Sequence, residues 1–168
     1  YFLQYTQYNT LENIIMNKSV AIILSVIFLL LVIDTYFEPF IPHARPKARK
    51  AACLSNLKQL YKGFMMYMQD YDSKIPPSSS WTTKLTPYID NKCILVCPEE
   101  RKLKCGYSLN NMLYRRNIKK IARPYDTPLL FDSAGGWNSV DSIDQAIARH
   151  SDGYNCVYID GCVKWIEK

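Results

Sequence analysis

RHSDGYNCVYIDGCVKWIEK, from Arg149 to Lys168, separates His150 from Asp160-Gly161 by nine residues. Two stretches flank the Asp-Gly pair, Tyr154 to Ile159 and Cys162 to Ile166, and each alternates apolar with polar side chains. Alternation with a period of two predicts strands, and Asp-Gly between two such runs predicts a β-hairpin closed by a two-residue type I′ turn. That register would set Ile159 opposite Cys162 and Cys156 opposite Trp165. A hairpin must lay one face on something apolar, so the next question is what upstream segment covers it.

The answer lies at Lys47 to Tyr71. Leu57, Leu60, Tyr61, Phe64, Met68 and Tyr71 recur at helical spacing and form one face. With Met65 and Met66 beside it, this stripe reads as core packing rather than as a cofactor box. The helix should stop between Asp70 and Ser73, ahead of Pro76-Pro77-Ser78-Ser79-Ser80. Shorter elements follow: a helix or turn over Trp81 to Ile89, and strands at Cys93–Cys97, Gly106–Leu109 and Thr127–Phe131. A loop opens at Gly135-Gly136 before Ile143 to Ala148. One long amphipathic helix packed on a small antiparallel sheet is an α+β arrangement.

Ahead of that domain, Val20 to Ile33 is apolar except for Ser25. Fourteen residues fall short of the roughly 20 a spanning helix needs, but Ile14 and Ile15 or Thr35 to Phe37 supply the difference. Lys18 alone makes a thin n-region, and no small-x-small cleavage site follows Ile33. An uncleaved transmembrane anchor over 16–38 is therefore expected, rather than a cleaved signal peptide. Residues 1–15 form an extension without a targeting pattern, and Met16-Asn17-Lys18 resembles a natural start. Residues 39–50 read as a basic connector in which Pro39, Pro42 and Pro46 interrupt the chain before the long helix. Residues 51–168 form the extracytoplasmic domain. Arg45, Lys47, Arg49 and Lys50 suit a stretch facing anionic headgroups, and no basic-aromatic module accompanies them, so nucleic acid is not an expected partner.

The composition, 48% hydrophobic and 21% charged over 168 residues, excludes global disorder and fits one modest core. All six cysteines, Cys53, Cys93, Cys97, Cys105, Cys156 and Cys162, lie beyond the apolar run. Their spacing is not that of a zinc ribbon, and disulfides in an oxidising compartment are expected, with 15 pairings open. The positive-inside rule would hold the basic cluster in the cytoplasm, whereas the cysteines place the domain outside; the cysteines carry more weight here. His150 with Asp132, Asp152 and Asp160 suggests a metal or acid–base constellation. The plainer reading has His150 bonding a backbone carbonyl or the hairpin's Asp and fixing the loop. Asp132, Asp152 and Asp160 offer hard oxygens for a weak calcium site. No hydrolase, P-loop or zincin motif occurs. Cys93 and Cys97 lack Cys-x-x-Cys spacing, so the chain does not read as an enzyme.

Taken in order, these features resemble the type IV pilin-like proteins and type II secretion pseudopilins abundant in planctomycete-type bacteria. The residues that carry the resemblance are Phe40-Ile41-Pro42, Ala48 to Gln59 with its CLSNLKQ run, Asp70-Tyr71-Asp72 and Pro76. Further along come Trp81, Leu85 to Ile89, Cys97-Pro98, Gly106 to Asn110, Leu129 to Ser133, and the family's His-x9-Asp-Gly element at His150, Asp160 and Gly161. The resemblance covers residues 40 to 168. It implies a single-pass protein of the bacterial inner membrane whose head lies in the periplasm or beyond, stapled by disulfides with Cys53–Cys97 among them. Its partners would be the membrane, other pilin-like subunits or secreted cargo, with calcium as the one cofactor the family suggests. The prepilin peptidase signature Gly-Phe-Thr-Leu-Ile-Glu does not precede the apolar run, which supports an alternative: a monomeric anchored binding domain that builds no filament.

Overall fold

A computed structural model describes the backbone of residues 2–37, 40–113 and 116–168, and the side chains of 16–36, 45–113 and 116–168. The chain divides into two compact units, 1–44 and 45–168. Helix α1 (Phe2–Phe37) makes up most of the first. Its segment Met16–Tyr36, 21 residues, is long and apolar enough to cross a membrane. At 1.5 Å per residue it measures about 31 Å, close to the hydrocarbon thickness of a bilayer. Its apolar side chains are exposed apart from the half-buried Val32, with Phe28 at 69%. Two hydroxyls in the span bond inward: Ser25 Oγ donates to the Ile22 carbonyl at 2.7 Å and Thr35 Oγ1 to the Leu31 carbonyl at 3.0 Å. Such back-bonding suits these two side chains to a lipid setting.

Helix α2 (Phe40–Asp70) corrects the expected proline-broken connector, because helical backbone runs through Pro42 and Pro46. Pro42 lies in the first turn, where an N–H has no intrahelical acceptor anyway, and Pro46 forfeits one bond in a 31-residue helix. Pro39 lies outside the described residues. Leu57, Leu60, Phe64 and Met68 point into the core as the spacing predicts, with Cys53 buried beside them; Tyr61 is half-buried, and Tyr71 is exposed beyond the helix end. The stop falls where expected: Ser73 N–H reaches back to the Met68 carbonyl at 2.7 Å, and Asp72 and Ser73 adopt φ of 52° and 62°. Left-handed residues at a helix end satisfy its last carbonyls.

Five strands form the sheet among the described residues: β1 (Tyr107–Asn110), β2 (Pro128–Asp132), β3 (Val140–Asp141), β4 (Gly153–Tyr158) and β5 (Val163–Glu167), in the order β3-β1-β2-β4-β5. The architecture is α+β, but the sheet is mixed, since β3 runs parallel to β1. The chain leaving β2 crosses through the Gly135–Asn138 loop to the outer edge of β1, and two residues are too few to show a strand period in sequence. Tyr107, Leu109, Leu130 and Val157 join the α2 side chains in the main core. Phe131, Cys156 and Ala146 form a smaller cluster with Ile143, Tyr154 and Ile166 packed against it. The expected strand Cys93–Cys97 is instead a 3₁₀ turn over Lys92–Leu95, started by Asn91, whose side chain accepts the Cys93 N–H at 2.8 Å.

The terminal hairpin exists with a different turn. Gly161 N–H donates to the Tyr158 carbonyl at 3.0 Å, Tyr158 N–H donates to the Cys162 carbonyl at 2.9 Å, and Gly161 alone of the loop has positive φ, +85°. This is a three-residue loop, a type I turn followed by a left-handed residue. The register accordingly pairs Cys156 with Lys164, not with Trp165. Asp160 keeps a negative φ, and its carboxylate accepts the Cys162 N–H at 2.9 Å. A type I′ turn does occur, eight residues earlier. Ser151 and Asp152 have φ of 50° and 61°, and His150 and Gly153 exchange both backbone hydrogen bonds at 3.0 and 3.3 Å. Gly153 admits the Trp165 ring, which a Cβ would meet at 2.5 Å.

Gly161 is held by two constraints, its φ and the Tyr61 ring, which would lie 2.5 Å from an added Cβ. Tyr61 Oη also donates to the Ile159 carbonyl at 3.1 Å. Gly161→Ala should therefore lose more than the roughly 1–2 kcal/mol of a left-handed alanine. Gly136→Ala, at φ +84° with open space around it, should lose only that backbone part. Thermal unfolding followed by circular dichroism should show the larger drop in Tm for Gly161→Ala. Equal drops would mean the Tyr61 contact constrains nothing.

Candidate functional site

Four segments converge at one end of the sheet. Cys53 comes from α2, Cys97 from the turn after residue 95, Asp132 from the end of β2 and His150 from the type I′ turn before β4. Cys53 and Cys97 form a disulfide with a Cα–Cα distance of 5.6 Å, inside the usual range. His150 Nε2 lies 3.3 Å from Cys97 Sγ and 3.5 Å from Asp132 Oδ2. All four residues are buried, and one ligand-type atom from each lies within 4.8 Å of the others.

The strands explain why Asp132 sits there. Tyr107 pairs with Asp132, the adjacent register places Asp132 beside Asn155, and Asn155 pairs with Trp165. Tyr107, Asp132, Asn155 and Trp165 thus form a row across β1, β2, β4 and β5. The Asn155 N–H donates to Asp132 Oδ2 at 2.7 Å. Among the described residues no hydrogen bond of ordinary geometry reaches the Tyr107 hydroxyl, Asp132 Oδ1 or the polar atoms of the Asn155 amide, although the Asn155 amide lies near enough to Asp132, and Asn56 near enough to Tyr107, to pull against the shift that burial causes. Buried polar atoms without partners cost about 1–3 kcal/mol each, so this row is an expensive feature to keep. Trp165 Nε1 donates to the His150 carbonyl at 2.7 Å, and Lys50 Nζ lies 3.8 Å from the centre of the Trp165 ring. Arg149 donates to the carbonyls of Gly106 at 3.2 Å and Ser133 at 2.7 Å, tying the loop carrying His150 to β1 and β2.

Burial dominates the electrostatics. It raises the Asp132 carboxyl to about 7, against the Asn155 N–H and the Arg149 charge, which pull it down. Burial likewise lowers the His150 imidazole to about 4; Glu99 opposes the shift, and Arg149, Lys50 and Arg49 reinforce it. Desolvation disfavours whichever form is charged, so the pair favours a neutral acid beside a neutral imidazole. A second polar knot lies nearby at Asp141, whose Oδ2 accepts from Ser108 at 2.5 Å, Ser133 at 2.8 Å and Ser139 at 2.9 Å. Partial burial alone would raise that carboxyl, but the three hydroxyls outweigh it and hold it below its ordinary value. The knot closes the β2–β3 connection.

Of the residues the sequence singles out, His150 and Asp132 meet, while Asp152 and Asp160 do not join them. The latter two occupy exposed turns at opposite ends of β4. The oxygens proposed for calcium are therefore not gathered, and the hairpin's Asp is not the partner of His150. Cys53–Cys97 is the bond present. Cys93 and Cys162 are exposed thiols, and Cys105 and Cys156 are buried ones. Burial raises the Cys105 thiol to about 11 and the Cys156 thiol to about 12, so both are poor nucleophiles at neutral pH. Cys93 and Cys97 do not pair with each other. Asn155 and Tyr107 were not expected at the site. The one hint was a polar Asn at an inward position of the alternating β4 run. Comparison with protein-family models, with curated proteins and with solved structures finds no match to this chain.

The opposed shifts have a measurable signature. Asp132, raised from 3.8 to about 7, favours the folded state below its unfolded pKa and loses that contribution as pH rises through 7. His150, lowered from 6.5 to about 4, favours the folded state above 6.5 and loses that contribution as pH falls through 4. Between about 4 and 6.5 the two slopes oppose, and the disulfide-bonded protein should show nearly flat stability there. Asp132→Asn should make stability climb with pH across that window, and His150→Gln should make it decline. Urea midpoints at graded pH test this, and two variant profiles parallel to the wild-type one would refute the assignment.

Proposed function

We propose that this chain is a membrane-anchored, pilin-like structural protein of a bacterial envelope secretion or pilus-like system. Its head would be held outside the cytoplasm and would work through surfaces that meet other subunits or cargo. The observation that carries the reading is the pairing of an exposed 21-residue apolar helix with a separately folded α+β unit. A helix apolar all round needs lipid or other helices. A head of about 120 residues with a modest core gains from a buried disulfide, which suits an oxidising compartment. The resemblance at Cys53 to Gln59, Asp70-Tyr71-Asp72, Cys97-Pro98 and His150-x9-Asp160-Gly161 supports the same reading.

A second reading, an anchored head that binds a ligand as a monomer, draws on a surface cavity of about 580 Å³ at the end of α2. Tyr67, Asp70, Tyr71 and Asp72 line it, with the two tyrosine rings stacked 4.2 Å apart. Its size is that of ordinary small-molecule sites.

The test uses the full chain in its native membrane. Carbonate washing should leave it in the membrane pellet. A membrane-impermeant maleimide applied from the periplasmic side should label the exposed Cys93 and Cys162. A photo-crosslinker at Phe28 should yield multimers containing this chain or similar subunits. Exclusive labelling from the cytoplasmic side would overturn the topology, and a monomer at every crosslinking position would favour the anchored binding domain.

A further inference from the structure

We propose that Cys53, Cys97, Asp132 and His150 make a tetrahedral site for a zinc-class divalent cation once the Cys53–Cys97 bond is reduced. Disulfide and metal would then be mutually exclusive occupants of one buried position. The proposal is independent of whether the chain assembles with others.

The donor set comes first. Two sulfurs, one imidazole nitrogen and one carboxylate oxygen are the ligands that a borderline-soft ion takes, and they exclude calcium, which prefers six to eight oxygens. The geometry comes second. Ligand bonds of the lengths zinc makes give tetrahedron edges of roughly 3.3 to 3.8 Å. His150 Nε2 already stands 3.3 Å from one sulfur and 3.5 Å from the carboxylate oxygen. The same nitrogen faces both, so it is the one that would ligate. The other donor atoms lie within 4.8 Å of one another, and the two sulfurs are free to separate once their bond is gone. The third observation is independent of the ligands' proximity. Asp132 is fully buried; its Oδ2 accepts only the Asn155 N–H, and no hydrogen bond of ordinary geometry reaches its Oδ1 among the described residues. A buried carboxylate with a spare oxygen is costly in an apolar core and ordinary beside a cation.

The chemistry balances with a dithiol or phosphine reductant. Two electrons enter the S–S bond, which breaks, and two protons complete the Cys53 and Cys97 thiols while the reductant is oxidised. Cation binding then displaces to solvent both thiol protons and the proton that burial holds on the Asp132 carboxyl, as two metal–sulfur bonds and one metal–oxygen bond form beside a neutral His150. A dication with two thiolates and one carboxylate leaves a single negative charge, and the Arg149 guanidinium lies close enough to act on Asp132. The consequence for the fold is that the reduced head does not lose its clamp. A disulfide joins two segments, whereas the ion would join four: α2, the turn at Cys97, the end of β2 and the loop at His150.

The experiment uses the full chain in detergent, reduced with a phosphine and desalted without oxygen, with Co²⁺ as the spectroscopic probe and Zn²⁺ as competitor. The reduced protein should bind one Co²⁺ per chain, with thiolate charge-transfer and tetrahedral d–d bands that Zn²⁺ abolishes. The disulfide-bonded protein should show none of these bands. Bound Zn²⁺ should raise the Tm of the reduced protein and shield Cys53 and Cys97 from alkylation. Asp132→Asn and His150→Ala should each weaken binding more than about tenfold, their folding being checked in the disulfide-bonded form, where no ion is needed. Cys93→Ser with Cys162→Ser should bind as wild type does. Failure of the reduced wild type to bind one ion, or loss of the bands only when Cys93 and Cys162 are replaced, would overturn the proposal.

Discussion

The Cys53–Cys97 bond closes a stretch that has little else to hold it. Between the end of α2 and the start of β1 the chain makes a five-residue helix, α3 (Trp81–Leu85), single 3₁₀ turns and one isolated bridge from Lys74 to Asn117. Such a stretch has few backbone ladders and must be fixed by side chains. With its ends 44 positions apart in sequence, the cross-link removes loop freedom from the unfolded chain worth on the order of 4 kcal/mol in the chain-entropy picture. Trp81 acts as the second fastening. Its indole N–H donates to the Ser139 carbonyl at 2.8 Å, and Asn138 Oδ1 accepts the Thr82 N–H at 2.9 Å. The covalent bond and the buried Trp thus hold the α3 segment between α2 and the β1–β3 edge.

The polar row across the sheet end is harder to justify by stability alone. An apolar residue at Asp132 or Asn155 would avoid the desolvation that both now suffer. Natural cores keep such groups where they specify an arrangement or serve a ligand. Here the arrangement includes the loop of His150, which is fixed from three sides by Trp165, Arg149 and its own type I′ turn. The ring is therefore placed against the sulfur by the backbone, without help from Asp160. The two halves of the His-x9-Asp-Gly element have separate tasks. His150 belongs to the sulfur cluster, and Gly161 seats the ring of Tyr61 from α2.

Much of this was legible in the residues, and the failures have physical causes. The core face of α2, its end near Asp70, the positions of β1 and β2 and the existence of the last hairpin all follow from period and turn chemistry. Asp-Gly misled on turn type because the same dipeptide serves a type I turn plus a left-handed residue, and the Tyr61 ring that packs on Gly161 lies 100 residues away in sequence. Pro42 and Pro46 misled because a helix with enough other bonds tolerates the loss of one. Cys93 to Cys97 has the composition of a strand, yet Asn91 captures its first N–H locally. His150 with Asp132 could be suspected from residue type. That they meet on the Cys53–Cys97 sulfurs required the fold, since four segments spread over nearly 100 residues supply one site.

The central claim, that one buried cross-link between α2 and the Cys97 turn organises the head and receives His150, is tested most directly by non-reducing peptide mapping. Protein taken from its native membrane would be alkylated before digestion and analysed by mass spectrometry. The account predicts a Cys53–Cys97 linked peptide, with Cys93, Cys105, Cys156 and Cys162 recovered as thiols. Recovery of Cys53 or Cys97 bonded to any other cysteine would contradict it.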